Sequence, residues 1–273
     1  MVEDAWVRIW LGIDLFLTDW SRWKKRVRNA PWKLRLAGAQ LVDRGLTSRR
    51  PRDWRTHFSH RLSGSGIEIG ALSRPLQTHP GIKVRYVDRH KISELRAEYH
   101  ELHTFPFTEP DIVDDAHTLG TLPDASEDFL IAAHLLEHMR DPIRALEAWC
   151  RVVRPGGLIY LILPDKRASF DRFRQRTPLD HMVLDYRQPS RDRDFAHFMD
   201  FVVHAMQKTG QVAVEEARRL EQIDYSIHFH VFQPADAVRL LQWFARHVRP
   251  IEIVEGPVTY PFSDEFHTLL RVL

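Results

Sequence analysis

Apolar and polar positions change their spacing once along the chain, near residue 63. Before that point Val2, Trp6, Ile9, Trp10, Ile13, Phe16, Leu17 and Trp20 recur at intervals of three and four, which predicts one face of an amphipathic helix. A second helical stretch follows Pro31, carries Trp32, Leu34, Leu36, Ala39 and Leu41, and ends near Gly45. Ser48-Arg49-Arg50-Pro51-Arg52 then reads as a linker. Beyond Ser63-Gly64-Ser65-Gly66, short apolar runs alternate with helical periods. Strands are expected at 67–69, 84–87, 111–113, 129–133, 158–163, 251–254 and 266–272, and helices at 142–153 and 234–247. Such alternation predicts βαβ units, and so a doubly wound α/β domain over 63–273 with a helical extension over 1–62. The interval 165–227 breaks the rhythm, being polar, arginine-rich and helical in part. A connection this long inside a domain is usually functional, and it is expected to act as a lid over the substrate.

Composition adds three constraints. The single cysteine, Cys150, excludes an intramolecular disulfide and a cysteine zinc cage, and fits a reducing cytoplasm. The apolar stretch from Trp6 to Trp20 is broken by Arg8, Asp14 and Asp19 and is too short to span a bilayer. The acidic start, Glu3-Asp4, argues against a cleaved signal. A net charge of +2 conceals an asymmetry: Trp20 to Leu62 holds thirteen Lys and Arg against two acids, leaving 26 basic and 35 acidic residues elsewhere. Two uses of the extension compete. It packs on the domain or on a second copy as a homodimer, or it sets Trp6, Trp10, Trp20, Trp23 and Trp32 at a membrane interface, giving peripheral contact through residues 1–60. No recognition motif accompanies the basic residues, so a nucleic-acid partner is not expected.

The candidate chemistry lies at strand ends, where open parallel sheets bind ligands. Glu68-Ile69-Gly70-Ala71-Leu72 closes the first strand with a residue lacking a Cβ, which permits close backbone approach. Asp88 ends the second strand at a spacing suited to ribose hydroxyls. The run Ala133-His134-Leu135-Leu136-Glu137-His138-Met139-Arg140-Asp141-Pro142, followed by Arg151-Val152-Val153-Arg154-Pro155-Gly156-Gly157-Leu158, resembles the Leu-Glu-His and Pro-Gly-Gly elements of class I S-adenosylmethionine-dependent methyltransferases.

That resemblance extends over residues 66–273. It implies a Rossmann-like, seven-stranded, mostly parallel sheet with the last strand antiparallel, and S-adenosylmethionine as cofactor. Carried onto this sequence, it implies that Glu68, Gly70 and Ala71 meet the methionine portion, Asp88 the ribose, and Asp115 with Ala116 the adenine, with His134 beside the cofactor. Leu72 and Arg74 replace the family's later glycines. The form Glu-Ile-Gly-Ala-Leu-Ser-Arg-Pro-Leu resembles bacterial methyltransferases of surface-sugar and secondary metabolism. O-methylation of a small-molecule, sugar or glycolipid acceptor follows as the expected activity. An alcohol acceptor needs a base, for which His228, His230 and His134 are the candidates, with His181 behind them. The alternating His228-Phe229-His230 could instead lend two ligands to a metal, although no metal ligand set is assigned. The rival reading is a non-catalytic binding or scaffold protein on the same fold, peripheral at the membrane, suggested by the reduced glycine motif.

Overall fold

The computed structural model describes residues 53–99, 102, 104–260 and 263–273, and contacts tie 54–273 into one unit. The two helices expected between residues 1 and 45 lie outside the described residues. Elements run in the order α1 (Trp54–Ser59), β1 (Ser65–Ile69), β2 (Lys83–Asp88), α2 (Ile92–Glu98), β3 (Ile112–Val113), β4 (Glu127–Ala133), α3 (Pro142–Val152) and β5 (Val153–Pro164). They continue with α4 (Leu179–Arg187), α5 (Asp194–Asp200), α6 (Gly210–Gln222), α7 (Pro234–His247), β6 (Ile251–Val258) and β7 (Glu265–Val272). Single helical turns at Leu136–His138 and Phe170–Phe173 prove important for the site.

The seven strands form one sheet in the order β3-β2-β1-β4-β5-β7-β6. Neighbours pair in parallel from β3 to β5, while β7 lies antiparallel between β5 and β6, as the family resemblance implied. The alternation of β4 sorts its side chains between two cores. Leu130 and Ala132 join Ile143, Leu146, Trp149, Leu240 and Phe244 from α3 and α7 on one face. Phe129 and Ile131 join Phe58, Leu62, Leu76, Tyr160 and Leu269 on the other. Asp141 caps α3 by accepting from Arg144 N at 2.9 Å, and Pro142 opens the helix where no donor is needed.

Two features depart from the sequence pattern. The connection from β1 to β2 holds no helix, so the second face is covered there by α1 and by Leu76 from the connecting loop. Residues 54–62, assigned above to the basic extension, therefore pack into the domain: Phe58 is fully buried, with its ring 5.3 Å from that of Tyr160. The strand expected at 251–254 runs on to Val258, and the insertion resolves into α4, α5 and α6, with short helical segments at Arg191–Arg193 and Phe201–Ala205 between them. Among the described residues no helix is long and apolar enough to cross a membrane.

Because Phe58 fills a closed core, Phe58→Ala should lower unfolding free energy by about 3–5 kcal/mol in urea titration. A cost below about 1 kcal/mol, the scale of a surface change, would place residues 54–62 outside the domain.

Candidate active site

The sheet brings the cofactor candidates to one edge. Ile69 pairs with Val87, and Asp88 with Val113, so Gly70, Asp88 and Asp115 all follow the carboxyl ends of adjacent parallel strands. Gly70 turns the chain with a φ of +70°, the left-handed region glycine enters without steric cost, and its N–H donates to the Val87 carbonyl at 2.9 Å. A Cβ there would meet only Leu135 Cδ1, at 3.4 Å. Asp88 is half-buried, which raises its pKa, and Oδ1 accepts from Arg89 N at 2.8 Å. Asp88 Oδ2 has no protein hydrogen bond among the described residues.

After β3, Asp115 Oδ1 accepts from the His117 N–H at 2.8 Å and lies 3.1 Å from its Nδ1, contacts that lower the Asp115 pKa. The Asp115 side chain is 64% exposed, so its other oxygen remains open to a ligand. The Trp149 indole donates to the Ala116 carbonyl at 2.8 Å, and Arg151 holds the carbonyls of Leu119 and Leu122 at 2.7 and 2.9 Å. Helix α3 thus fixes the loop expected to meet adenine.

Glu68 stands elsewhere. Its carboxylate is buried, with both oxygens 3.0 Å from Leu76 N, and burial pushes its pKa up to about 7. It braces the helix-free loop after β1, with Leu72 at a φ of +44° and Leu76 in the core. Ala71, also buried, accepts from Arg74 N at 2.8 Å inside that loop. The two residues shape the turn around Gly70.

Beyond β4 the chain builds a row of alternating charges. Arg55 of α1 grips Glu265 of β7 in a bidentate pair at 2.8 and 2.6 Å. His134 Nε2 lies 2.9 Å from Glu265 Oε2, and His134 Nδ1 lies 3.6 Å from Glu137 Oε1. His228 Nε2 approaches the same Glu137 oxygen to 3.8 Å, while His228 Nδ1–H donates to Asp171 Oδ2 at 2.6 Å. Asp171 also receives Arg174 Nη1 at 2.8 Å, and Arg174 Nε reaches Asp200 at 2.7 Å. Neither oxygen of the fully buried Glu137 accepts a hydrogen bond, and burial raises its pKa despite the two nearby imidazoles. Burial would lower the His134 pKa, but Glu265 and Glu137 outweigh it and the net shift is upward. His138 packs edge-on against His228 at 4.7 Å, bonds Ser226 through Nδ1 at 3.0 Å, and is held neutral by burial and its imidazole neighbours.

The three candidate bases separate. His134 is the most exposed of them, at the end of β4, with both ring nitrogens facing carboxylates. His228 is oriented by Asp171. His230 belongs to a different cluster: it is fully buried, Nε2–H donates to the Arg140 carbonyl at 3.1 Å, and burial drives its pKa down to about 3. Sharing one side of an extended segment did not bring His228 and His230 to one task, and an imidazole this hard to protonate makes a poor base. The partners of Arg55, Glu265 and Asp171 are set by tertiary structure and left no pattern in the sequence; Arg55 and Glu265 are 210 positions apart.

Residues 63–161, from β1 into β5, match the family model described as a methyltransferase domain. No curated protein matches the chain. The chain is similar to the solved structure of a SAM-dependent methyltransferase from Aquifex aeolicus, at 14% identity over 80% of this chain and 87% of that one, with a TM-score of 0.42. It is also similar to a putative methyltransferase from an antibiotic biosynthesis pathway of Anabaena variabilis, at 20% identity over 74% and 62% of the two chains, TM-score 0.35. A third, described as a putative Zn-dependent alcohol dehydrogenase from Rhodobacter sphaeroides, is 14% identical over 82% and 91%, TM-score 0.48. The family match covers the strands that present Gly70, Asp88 and Asp115, so residues 63–161 are similar to a methyltransferase domain, with S-adenosylmethionine as the cofactor.

The residues present fit that cofactor. Gly70 leaves space beside Leu135 where a side chain would stand, Asp88 keeps an oxygen for a diol, and Asp115 keeps one at the loop held by α3.

Glu265 should contribute through its charge. Burial opposes ionisation, but Arg55 and His134 hold its pKa well below the usual carboxylate range. A depressed pKa gives stability that is present above the unfolded value, about 4.3, and lost as pH falls through the folded one. Glu265→Gln should therefore cost about 2 kcal/mol at pH 7, reduced from the fully buried case because Arg55 is partly exposed. In denaturant titrations the gap to wild type should narrow below about pH 4. A gap that does not vary with pH would show that packing, not charge, is what Glu265 provides.

Proposed function

We propose that the protein methylates a hydroxyl oxygen of a small-molecule or glycan-type acceptor, with His228 as the base. The observation that carries this reading is the Asp171–His228 pair: a buried carboxylate 2.6 Å from Nδ1 fixes the tautomer and leaves Nε2 as the basic lone pair. S-adenosylmethionine, when bound, supplies a methyl group already activated on sulfonium sulfur. The task left to the side chains is to align the acceptor, exclude water and receive its proton. A nitrogen nucleophile carries its own lone pair and has less need of an oriented base, which favours oxygen.

Within this reading each neighbour has a role. Asp171 stabilises the imidazolium that forms when Nε2 takes the proton. Its own pKa is held low by His228 and Arg174 against the effect of burial, so it stays ionised. Phe170, 4.5 Å from the His228 ring, and His138 restrict that ring's rotation. His134 is a positioning residue between Glu265 and Glu137. The base and its orienter enclose the insertion, Asp171 entering it and His228 leaving it, which supports a lid that completes the site when closed. A surface-sugar acceptor rests on the form of the Glu68–Leu76 motif, and oxygen as the methylated atom rests on the oriented base.

His228→Asn, which keeps a polar group but removes the base, should lower kcat by about 10²–10⁴-fold. The measurement is S-adenosylhomocysteine formation against a panel of hydroxylated sugar acceptors, with S-adenosylmethionine affinity measured alongside. Unchanged turnover would remove His228 from the chemistry; loss of cofactor affinity with unchanged turnover at saturation would reassign it to binding.

A further inference from the structure

A second histidine cluster lies inside the insertion, in none of the contacts described above. His181 and Asp185 sit one turn apart on α4, and His197 reaches them from α5. His181 Nε2 is 3.2 Å from His197 Nε2 and 3.2 Å from Asp185 Oδ2. One ligand atom from each of the three residues falls within 4.8 Å of the others. Ligand atoms about 2.0–2.1 Å from a tetrahedral zinc stand about 3.3 Å apart, which is the separation seen along both measured edges.

Outer contacts fix two of these atoms, on His197 and Asp185, as lone-pair donors. His197 Nδ1–H donates to the Phe229 carbonyl at 3.0 Å, which leaves Nε2 unprotonated in the neutral ring and aimed into the cluster. Arg193 Nε donates to Asp185 Oδ1 at 2.9 Å, and Oδ2, which accepts no hydrogen bond, is buried beside His181. A neutral His181 carries at most one proton on Nε2, so it can serve either His197 or Asp185, whereas a cation serves all three. The neighbouring His230 adds an unpaired, buried Nδ1, its ring 5.7 Å from that of His197 and 6.1 Å from that of His181.

We infer that His181 Nε2, Asp185 Oδ2 and His197 Nε2 form a binding site for a divalent transition cation of the zinc type. Two imidazoles and a carboxylate suit such a metal better than magnesium or calcium, which take oxygen ligands. Asp185 and His197 also line a cavity of about 220 Å³ with Arg140, Arg193, Asp194 and Phe229, which has room for water at a fourth position. The arginines there are already paired: Arg140 with Asp194 and Asp224, and Arg193 with Asp185. The metal would staple α4 to α5 and so order the insertion. This inference concerns metal binding and stands apart from the choice of base or acceptor.

The test is calorimetric titration of the full, chelator-treated chain with zinc chloride, repeated on His181→Ala, His197→Ala and His228→Ala. One equivalent should bind to the wild type and to His228→Ala, with affinity reduced by at least about tenfold in each of the other two. Zinc should also raise the wild-type melting temperature, since it binds only the folded arrangement. Cobalt(II) loaded into the wild type provides a readout that needs no variant: the intense visible bands of a four-coordinate site are expected. Absence of stoichiometric binding, weak six-coordinate bands, or loss of binding in His228→Ala but not in His197→Ala would overturn the assignment.

Discussion

The site is organised around the difficulty of placing ionised groups where water is scarce. Glu137 is fully buried and accepts no hydrogen bond, so its tolerance just after β4 depends on the imidazoles of His134 and His228 near its Oε1. Each imidazole needs a carboxylate of its own, supplied by Glu265 and Asp171, and each of those is held by an arginine, Arg55 or Arg174. The row is therefore self-consistent only when complete. It also joins segments distant in sequence: α1, the end of β4, the start of β7 and both ends of the insertion must be in place together.

This constraint explains why α1 is part of the domain. Phe58 contributes apolar burial to the second core, while Arg55, one turn earlier, contributes the outermost positive charge of the row. With no helix between β1 and β2, that face of the sheet would otherwise be thinly covered. Glu68 stabilises the loop there through the Leu76 amide, and Gly70 turns the chain at the edge where Asp88 and Asp115 also emerge. The reduced glycine motif is thus coupled to a different way of closing the same fold. Leu72 takes a φ of +44° and accepts from Thr108 N at 2.6 Å, so the loop is tied down without the later glycines.

Much of this was legible in the sequence and some was not. The strands at 129–133 and 158–163 and the helix from Pro142 announced themselves through alternation and capping, although β5 begins already at Val153 and takes in the Pro-Gly-Gly run. That Gly70 and Asp88 stand at strand ends was legible from the alternation of the strands, and Asp115 was placed after the third strand by the family resemblance. Glu68 was assigned to the cofactor by motif, yet its carboxylate serves a backbone amide, a distinction only the loop's path reveals. Arg55 was counted among the basic residues of the extension because charge composition does not show that its partner lies 210 positions away. His228 and His230 were paired by their spacing, but the extended segment carries them past two separate clusters, one against Asp171 and one beside His181 and His197. The latter cluster escaped notice because His197 joins it from a second helix, a contact that period and spacing do not encode.

The account rests on the sheet edge formed by Gly70, Asp88 and Asp115 being a working cofactor site despite Leu72 and Arg74 in the later glycine positions. Isothermal calorimetry of the full chain with S-adenosylmethionine tests this without knowledge of the acceptor. One equivalent binding with a dissociation constant in the micromolar range, about −8 kcal/mol, is the expected result. No heat of binding at millimolar cofactor, with the protein folded, would contradict it and leave a methyltransferase fold serving as a scaffold.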